Sequence, residues 1–208
     1  RDVRQLLLAV STPDSAPAPK ALIVPHAGYI YSGAVAAQAY ARLLPIAPTI
    51  RRVILLGPVH RVPVRGLALP STSAFSTPLG QIPLDLAALA GIADLPQICI
   101  SDAAHAQEHS LEVHLPFLQL VLGEFQLVPL AVGDASAAEV AQVLERLWGG
   151  DETLIVISSD LSHFLTYAQA QRTDGATVRQ ILAGGPELNH QQACGATPVN
   201  GLLQYAAQ

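Results

Sequence analysis

No apolar run in this 208-residue chain reaches the roughly 18 residues that a membrane-spanning helix requires. Each run is broken by Pro, Gly or a polar residue, so a span is excluded despite the positive mean hydropathy of +0.37. Charge is scarce too: 13% of residues are charged and 50% are hydrophobic, a balance that suits a packed globule and not a disordered chain. With a net charge of -5 and no basic run beyond Arg51 and Arg52, with Arg61 and Arg65 further on, the clustered basic face of a nucleic-acid binder is missing. Two cysteines make no disulfide framework, and the N-terminus lacks the layout of a signal peptide; a reducing cytoplasm is the expected location. Methionine is absent and the chain starts at Arg1, from which we expect a trimmed or partial form of a longer product. No fixed-period repeat, low-complexity tract or long linker divides the sequence, so residues 1–208 read as a single domain.

What is present is one pattern used three times. Leu22–Val24 runs into Pro25, His26 and a glycine-rich turn (LIVPHAGYIYSG), Val53–Leu56 runs into GPVH ending at His60, and Leu154–Ile157 runs into SSDLSH with Asp160 and His163. Each apolar segment reads as a buried strand that ends in residue types able to bind metal or carry protons. In a parallel α/β sheet ligands bind in the crevice outside the carboxyl ends of the strands, so all four side chains are expected in one pocket.

The intervening segments fit an α/β class with a mixed, mostly parallel sheet flanked by helices. Helical spacing marks Asp2–Val10, the alanine-rich run after Gly33 up to Pro45, Asp85–Ala93, Ala137–Trp148 and Thr173–Ala183. Leu111, Leu115, Leu118 and Leu122 share a helical face, with Pro116 in a first turn. Ser11–Pro19 is a proline-rich connector, Gly66–Pro83 a β-hairpin excursion, and Ile98–Ile100 a short strand holding Cys99. Phe125–Val132 reads as a strand in which Pro129 demands an edge or a bulge. Near the end, Thr197 as N-cap and Pro198 at the first helical position place Cys194 just ahead of a helix N-terminus.

Each candidate has an ordinary structural reading beside the functional one. His26 or His60 alone is as readily a hydrogen-bonded structural histidine as a ligand; together at two strand ends they favour a shared site. Asp160 and His163, three apart, face one side if the chain turns helical there, though Asp160 serves equally well as a helix N-cap. Cys194 is a reactive or metal-binding thiolate if the helix terminus lowers its pKa, and otherwise a small buried hydrophobe, the reading that Cys99 favours. His109 and His114, five apart, share no regular helix face and are assigned structural roles, with Glu108 or His109 as a group that orients a ligand.

Five motifs, PHAGYIYSG, LLGPVH, EHSLEVHLPFLQ, VISSDLSHF and ACGATPVNGLL, appear in this order at intervals that make the chain resemble the Memo family, whose bacterial members are labelled protein B of the AmmeMemoRadiSam system. Memo proteins resemble class III extradiol dioxygenases in fold, and the resemblance implies a non-haem metal pocket. It points to His26, His60 and Cys194 as metal ligands, with Asp160 and His163 lining the site and His163 standing where the dioxygenases keep an acid/base histidine. Those enzymes hold Fe(II) with two histidines and a carboxylate. A cysteine as third ligand softens the site toward copper.

Three readings of function follow. The first is a redox enzyme using iron or copper, with zinc as a further occupant, on a small molecule. The second is a non-catalytic metal- or peptide-binding module with a vestigial pocket. The third, a hydrolase built on Ser158 or Ser159 with His163 and Asp160, is the weakest, for there is no G-x-S-x-G elbow. By resemblance, a functional link to radical SAM proteins is expected as well.

Overall fold

A computed structural model describes residues 2–10 and 17–208, so most of the expected Ser11–Pro19 connector lies outside the described residues. Four neighbouring strands run parallel: β1 (Ala21–Val24), β2 (Arg52–Pro58), β7 (Gln126–Val132) and β8 (Thr153–Ser158). Two short strands, β3 (Leu67–Leu69) and β6 (Ile98–Ile100), run parallel to each other, and β3 lies antiparallel to β7, giving the order β1-β8-β2-β7-β3-β6. The α/β class with a mixed, mostly parallel sheet is therefore what the chain forms. Residues Val53–Leu56 and Leu154–Ile157 have no exposed surface, as expected of parallel strands covered on both faces.

Helices flank the sheet in two groups. α1 (Val3–Leu8), α2 (Gly33–Ala41) and α6 (Leu115–Leu122) contact one another, as do α7 (Ala137–Leu147) and α9 (Ala196–Ala206). α7 starts on a reciprocal capping box between Ser136 and Glu139. Gly201 lets α9 approach α7 closely, because a Cβ there would come within 2.3 Å of Val140 Cγ1. Shorter helices α3 (Leu86–Ala90), α4 (Asp102–Ala106) and α5 (His109–Glu112) lie in the connections, and α8 (Tyr167–Leu182) begins six residues earlier than its sequence spacing suggests. Among the described residues no helix is long and apolar enough to cross a membrane.

Three expectations need correction. The hairpin is confined to β4 (Ala74–Thr77) and β5 (Gly80–Pro83), whereas Leu67–Leu69 joins the main sheet. β7 is an interior strand, not an edge. Its Pro129 sits opposite Leu55 of β2, while on the other flank β3 pairs only with Ala131 and Val132 and an isolated bridge joins Leu84 to Leu127. Pro129 falls in the gap between the two, where that flank asks for no N–H. Finally, α9 starts at Ala196 with Gly195 as N-cap, so Thr197 and Pro198 already lie inside its first turn.

Candidate metal centre

Parallel register brings the three strand-end motifs together. Val24 on β1 pairs with Ser158 on β8, and Ser159 N donates to Val24 O. Two residues beyond that pair lie His26 and Asp160, and β2, on the other side of β8, carries the chain to His60. Asp160 Oδ1 accepts from His26 N at 2.8 Å and from Ala27 N at 3.1 Å, fixing the turn after β1. The segment from Asp160 to His163 is not helical, so Asp160 caps no helix there; it ties two loops together instead. Its Oδ2 lies 3.8 Å from both His26 Nε2 and His163 Nε2, so the expected proximity to His163 arises without the helical turn assumed for it.

Cys194 arrives from the loop before α9. Its N donates to Asp160 O, its Sγ accepts from Asp160 N at 3.3 Å, and Sγ stands 3.3 Å from His26 Nε2. One ligand atom each from His26, His60 and Cys194 lie within 4.8 Å of one another; so do one each from Asp160, His163 and Cys194, and from His60, Glu108 and His109. His26 is buried, Cys194 is partly open, and His60 and His163 are at the surface.

The electrostatics favour a negative sulfur beside positive imidazole. Burial pushes the Cys194 thiol up, but hydrogen bonds to His26 and His60 outweigh it and bring it down to about 6. His60 is raised to about 9, first by its hydrogen bond to Cys194 and then by Glu108, against its burial. Glu108 in turn would be pushed up by burial, yet the His60 ring and the backbone N–H groups of His60 and Ser110 hold it down to about 2. Its carboxylate accepts from His60 N at 2.6 Å and His60 Nδ1 at 2.8 Å, leaving His60 Nε2 directed to the cluster.

His109, which the sequence allows as a structural residue or as a group that orients a ligand, stands beside the cluster. Its ring centroid lies 4.9 Å from that of His60 and 5.5 Å from that of His26, with Nδ1 3.3 Å from Glu108 Oε1. His114 does go to the interior, 1% exposed, where burial and the neighbouring His26 push it down to about 3. The surroundings of Ser158 rule it out as a nucleophile. It has no exposed surface, and its Oγ is already engaged with His26 Nδ1, His114 Nε2 and Ser110 O. Ser159 is occupied as well, accepting from Gly195 N and donating to Asp160 O. Cys99 lies half-buried on the edge strand β6, remote in the sheet order from β1 and β8. A cavity of about 520 Å³ adjoins His60 and Cys194, walled by Pro58, Val59, Pro63, Val64 and Pro198, with His190 at its side.

The donor set suits a transition metal. Two imidazoles and a thiolate match iron, copper or zinc far better than magnesium or calcium. Both histidines have Nδ1 engaged by a protein oxygen, the arrangement that fixes a metal-binding ring.

Comparison with known proteins places the chain in a family. A MEMO1 family protein of Aquifex aeolicus (strain VF5) is 40% identical over 162 residues, covering 75% of this chain and 58% of the relative. Another from Methanococcoides burtonii is 34% identical over 203 residues, covering 89% and 73%. The chain thus spans little more than half of some curated relatives it matches. The crystal structure of an uncharacterized protein from Escherichia coli K12 aligns over 81% of this chain and 79% of its own, with a TM-score of 0.53 at 16% identity, a likeness of fold alone. The family model described as Memo-like protein matches residues 2–207, and with identities of this order the chain belongs to the Memo-like family.

Proposed function

We propose that His26, His60 and Cys194 hold one transition-metal ion and that the chain acts as a metal-dependent redox enzyme on a small molecule. The observation that carries this reading is the convergence of three donor atoms, from the ends of β1 and β2 and from the loop before α9, within 4.8 Å. When bound, iron or copper supplies one-electron chemistry at this site, whereas zinc supplies none. The chain's own residues do the remainder. Glu108 and Ser158 orient the two rings, and the apolar walls beside His60 and Cys194 exclude water from a substrate's body. His163, in reach of the Asp160 carboxylate and open to solvent, holds or moves a proton at its Nε2. A thiolate where the dioxygenases have a carboxylate separates this proposal from simple ring cleavage.

A non-catalytic binding module is the second reading. It is favoured by the exposed apolar side chains that neighbour the ligands in sequence: Ile30 and Tyr31 after His26, and Phe164 and Tyr167 after His163. Phe164 is fully exposed and adopts a φ of 59°, a conformation that side-chain-bearing residues seldom take without cause.

The test uses protein purified without a His tag, reconstituted with Fe(II), Cu(I) or Zn(II). Oxygen consumption with a reductant, with and without catechol-type substrates, is expected above the free-ion rate for iron or copper and not for zinc. Cys194→Ala should abolish it, and His163→Ala should lose roughly 10²- to 10⁴-fold in rate while keeping the metal. Rates equal to those of the free ions for all three metals would leave the binding module as the better reading.

A further inference from the structure

Behind His26 lies a buried chain of hydrogen bonds in which every proton has a forced position. Tyr40, His114, Ser110 and Ser158 are each 1% exposed or less, so no bulk water competes for their polar atoms. Ser158 Oγ lies 2.5 Å from Ser110 O. A carbonyl oxygen can only accept, so the single hydroxyl proton of Ser158 is spent on that bond. The oxygen of Ser158 is then purely an acceptor toward its two remaining partners, His26 Nδ1 at 2.6 Å and His114 Nε2 at 2.9 Å. Both nitrogens must therefore carry their proton. Neutral His114, with its proton on Nε2, presents a bare Nδ1, and that atom accepts from Tyr40 Oη at 2.9 Å.

We propose that Ser158, locked by the Ser110 carbonyl and by the His114–Tyr40 pair, is a positioning residue that holds a proton of His26 on Nδ1 and leaves Nε2 as the nitrogen that meets Cys194, through a hydrogen bond in the metal-free protein and through its lone pair once the proton of that bond is displaced. The consequence for a metal rests on the reading of the site given above; the proton assignment does not. Were Ser158 free to turn its proton toward His26, the imidazole would carry hydrogen on Nε2 and present no lone pair to the cluster. The arrangement differs from that of His60, where the charged Glu108 does the same task at 2.8 Å. A neutral hydroxyl takes the place of a carboxylate at His26, and it can do so because its own proton has been fixed elsewhere. Gly57 makes room for this: a Cβ there would come within 2.9 Å of Ser110 Oγ and 3.1 Å of Ser158 Cβ.

The experiment reads the ring nitrogens directly. Metal-free protein labelled with ¹⁵N-histidine is examined by long-range ¹H–¹⁵N correlation, and in parallel Zn(II) affinity is measured by chelator competition. His26 is expected to show a protonated Nδ1. In Ser158→Ala that preference should be lost and Zn(II) affinity should fall roughly 10- to 100-fold. Ser158→Cys, which keeps a weak acceptor in place, should fall between the two and covers the case in which the alanine variant does not fold. A bare Nδ1 with the proton on Nε2 in the wild type would overturn the proposal. So would Ser158 variants that fold with unchanged affinity and an unchanged His26 spectrum. If the wild type binds no Zn(II), Fe(II) or Cu(I) and yet carries the Nδ1 proton, the metal reading fails while the positioning of His26 stands.

Discussion

Cys194 shows how the neighbours in space add a reason that its place in the sequence does not hold. Its place before a helix suggests a thiol activated by the helix terminus. The helix is there, beginning at Ala196, but the groups that lower the thiol to about 6 are the rings of His26 and His60. This changes what should be measured. Thiolate is the reactive form, and an ordinary cysteine ionises near 8.5, so with its pKa lowered the sulfur is mostly thiol below pH 6 and mostly thiolate above it. Alkylation of the metal-free protein at Cys194 should rise with pH through a midpoint near 6 and level off before pH 8. Replacing His60 by Ala removes one of the two stabilising rings and should move the midpoint upward. Peptide mapping with a pH series checks both. A midpoint unmoved by His60→Ala would mean that the thiolate owes nothing to that ring. In the sequence His109 is only one of two candidates for orienting a ligand, and Ser158 only a candidate nucleophile. His109 stands beside the cluster because Glu108 turns the chain toward His60, and Ser158 is the last residue of an apolar strand whose hydroxyl points inward; neither fact has a one-dimensional signal.

At the scale of elements, the strands β1, β2 and β8 were legible because parallel strands buried on both faces are written as short unbroken apolar runs, and each run here ends at Pro, Gly or Ser. The ligand-bearing turns were legible for the same reason. Less legible was anything decided by a neighbour in space. The role of Leu67–Leu69 as a strand of the main sheet depends on β6 and β7, and Pro129 is accommodated inside the sheet only because its flanking partners stop short on that side. The seam between α7 and α9 belongs to the same group, since Gly201 reads as a flaw in a helix until Val140 is seen beside it. Gly201→Ala should lower stability by about 1–3 kcal/mol through overpacking, despite the gain in helix propensity that alanine brings. Val140→Ala, which is itself a loss of buried methyl groups, should make the second substitution much less costly, giving a coupling above about 0.5 kcal/mol in a double-mutant cycle. Denaturant unfolding of the four proteins measures this. Strict additivity would indicate that the helices shift apart freely at this seam.

For the molecule as a whole, the three candidate ligands lie far apart in sequence: His60 is 34 residues after His26, and Cys194 a further 134 residues on. A metal ion held by all three would join the ends of β1 and β2 to the segment leading into α9, and α9 packs on α7 and β2. Binding to the folded state alone adds RT ln(1 + [L]/Kd), about 2.7 kcal/mol at a hundredfold excess over Kd. The added stability should therefore appear in global unfolding and not merely near the site. It should also weaken with acid, because Cys194 and His60, at about 6 and about 9, must lose or already lack protons before they can ligate. The expected outcome is a rise in Tm with Zn(II) that shrinks as pH falls from 9, where His60 takes up its proton, and shrinks further below 6, where Cys194 does; it is lost in His26→Ala, His60→Ala and Cys194→Ala, and survives in His163→Ala. Limited proteolysis gives the spatial counterpart: cleavage in the residues between α8 and α9 should slow with metal in the wild type and be unaffected in Cys194→Ala. If all three ligand variants kept the full shift in Tm, the ion would be binding elsewhere on the chain, and the convergence of the three strand-end and loop motifs would have to be explained by structure alone.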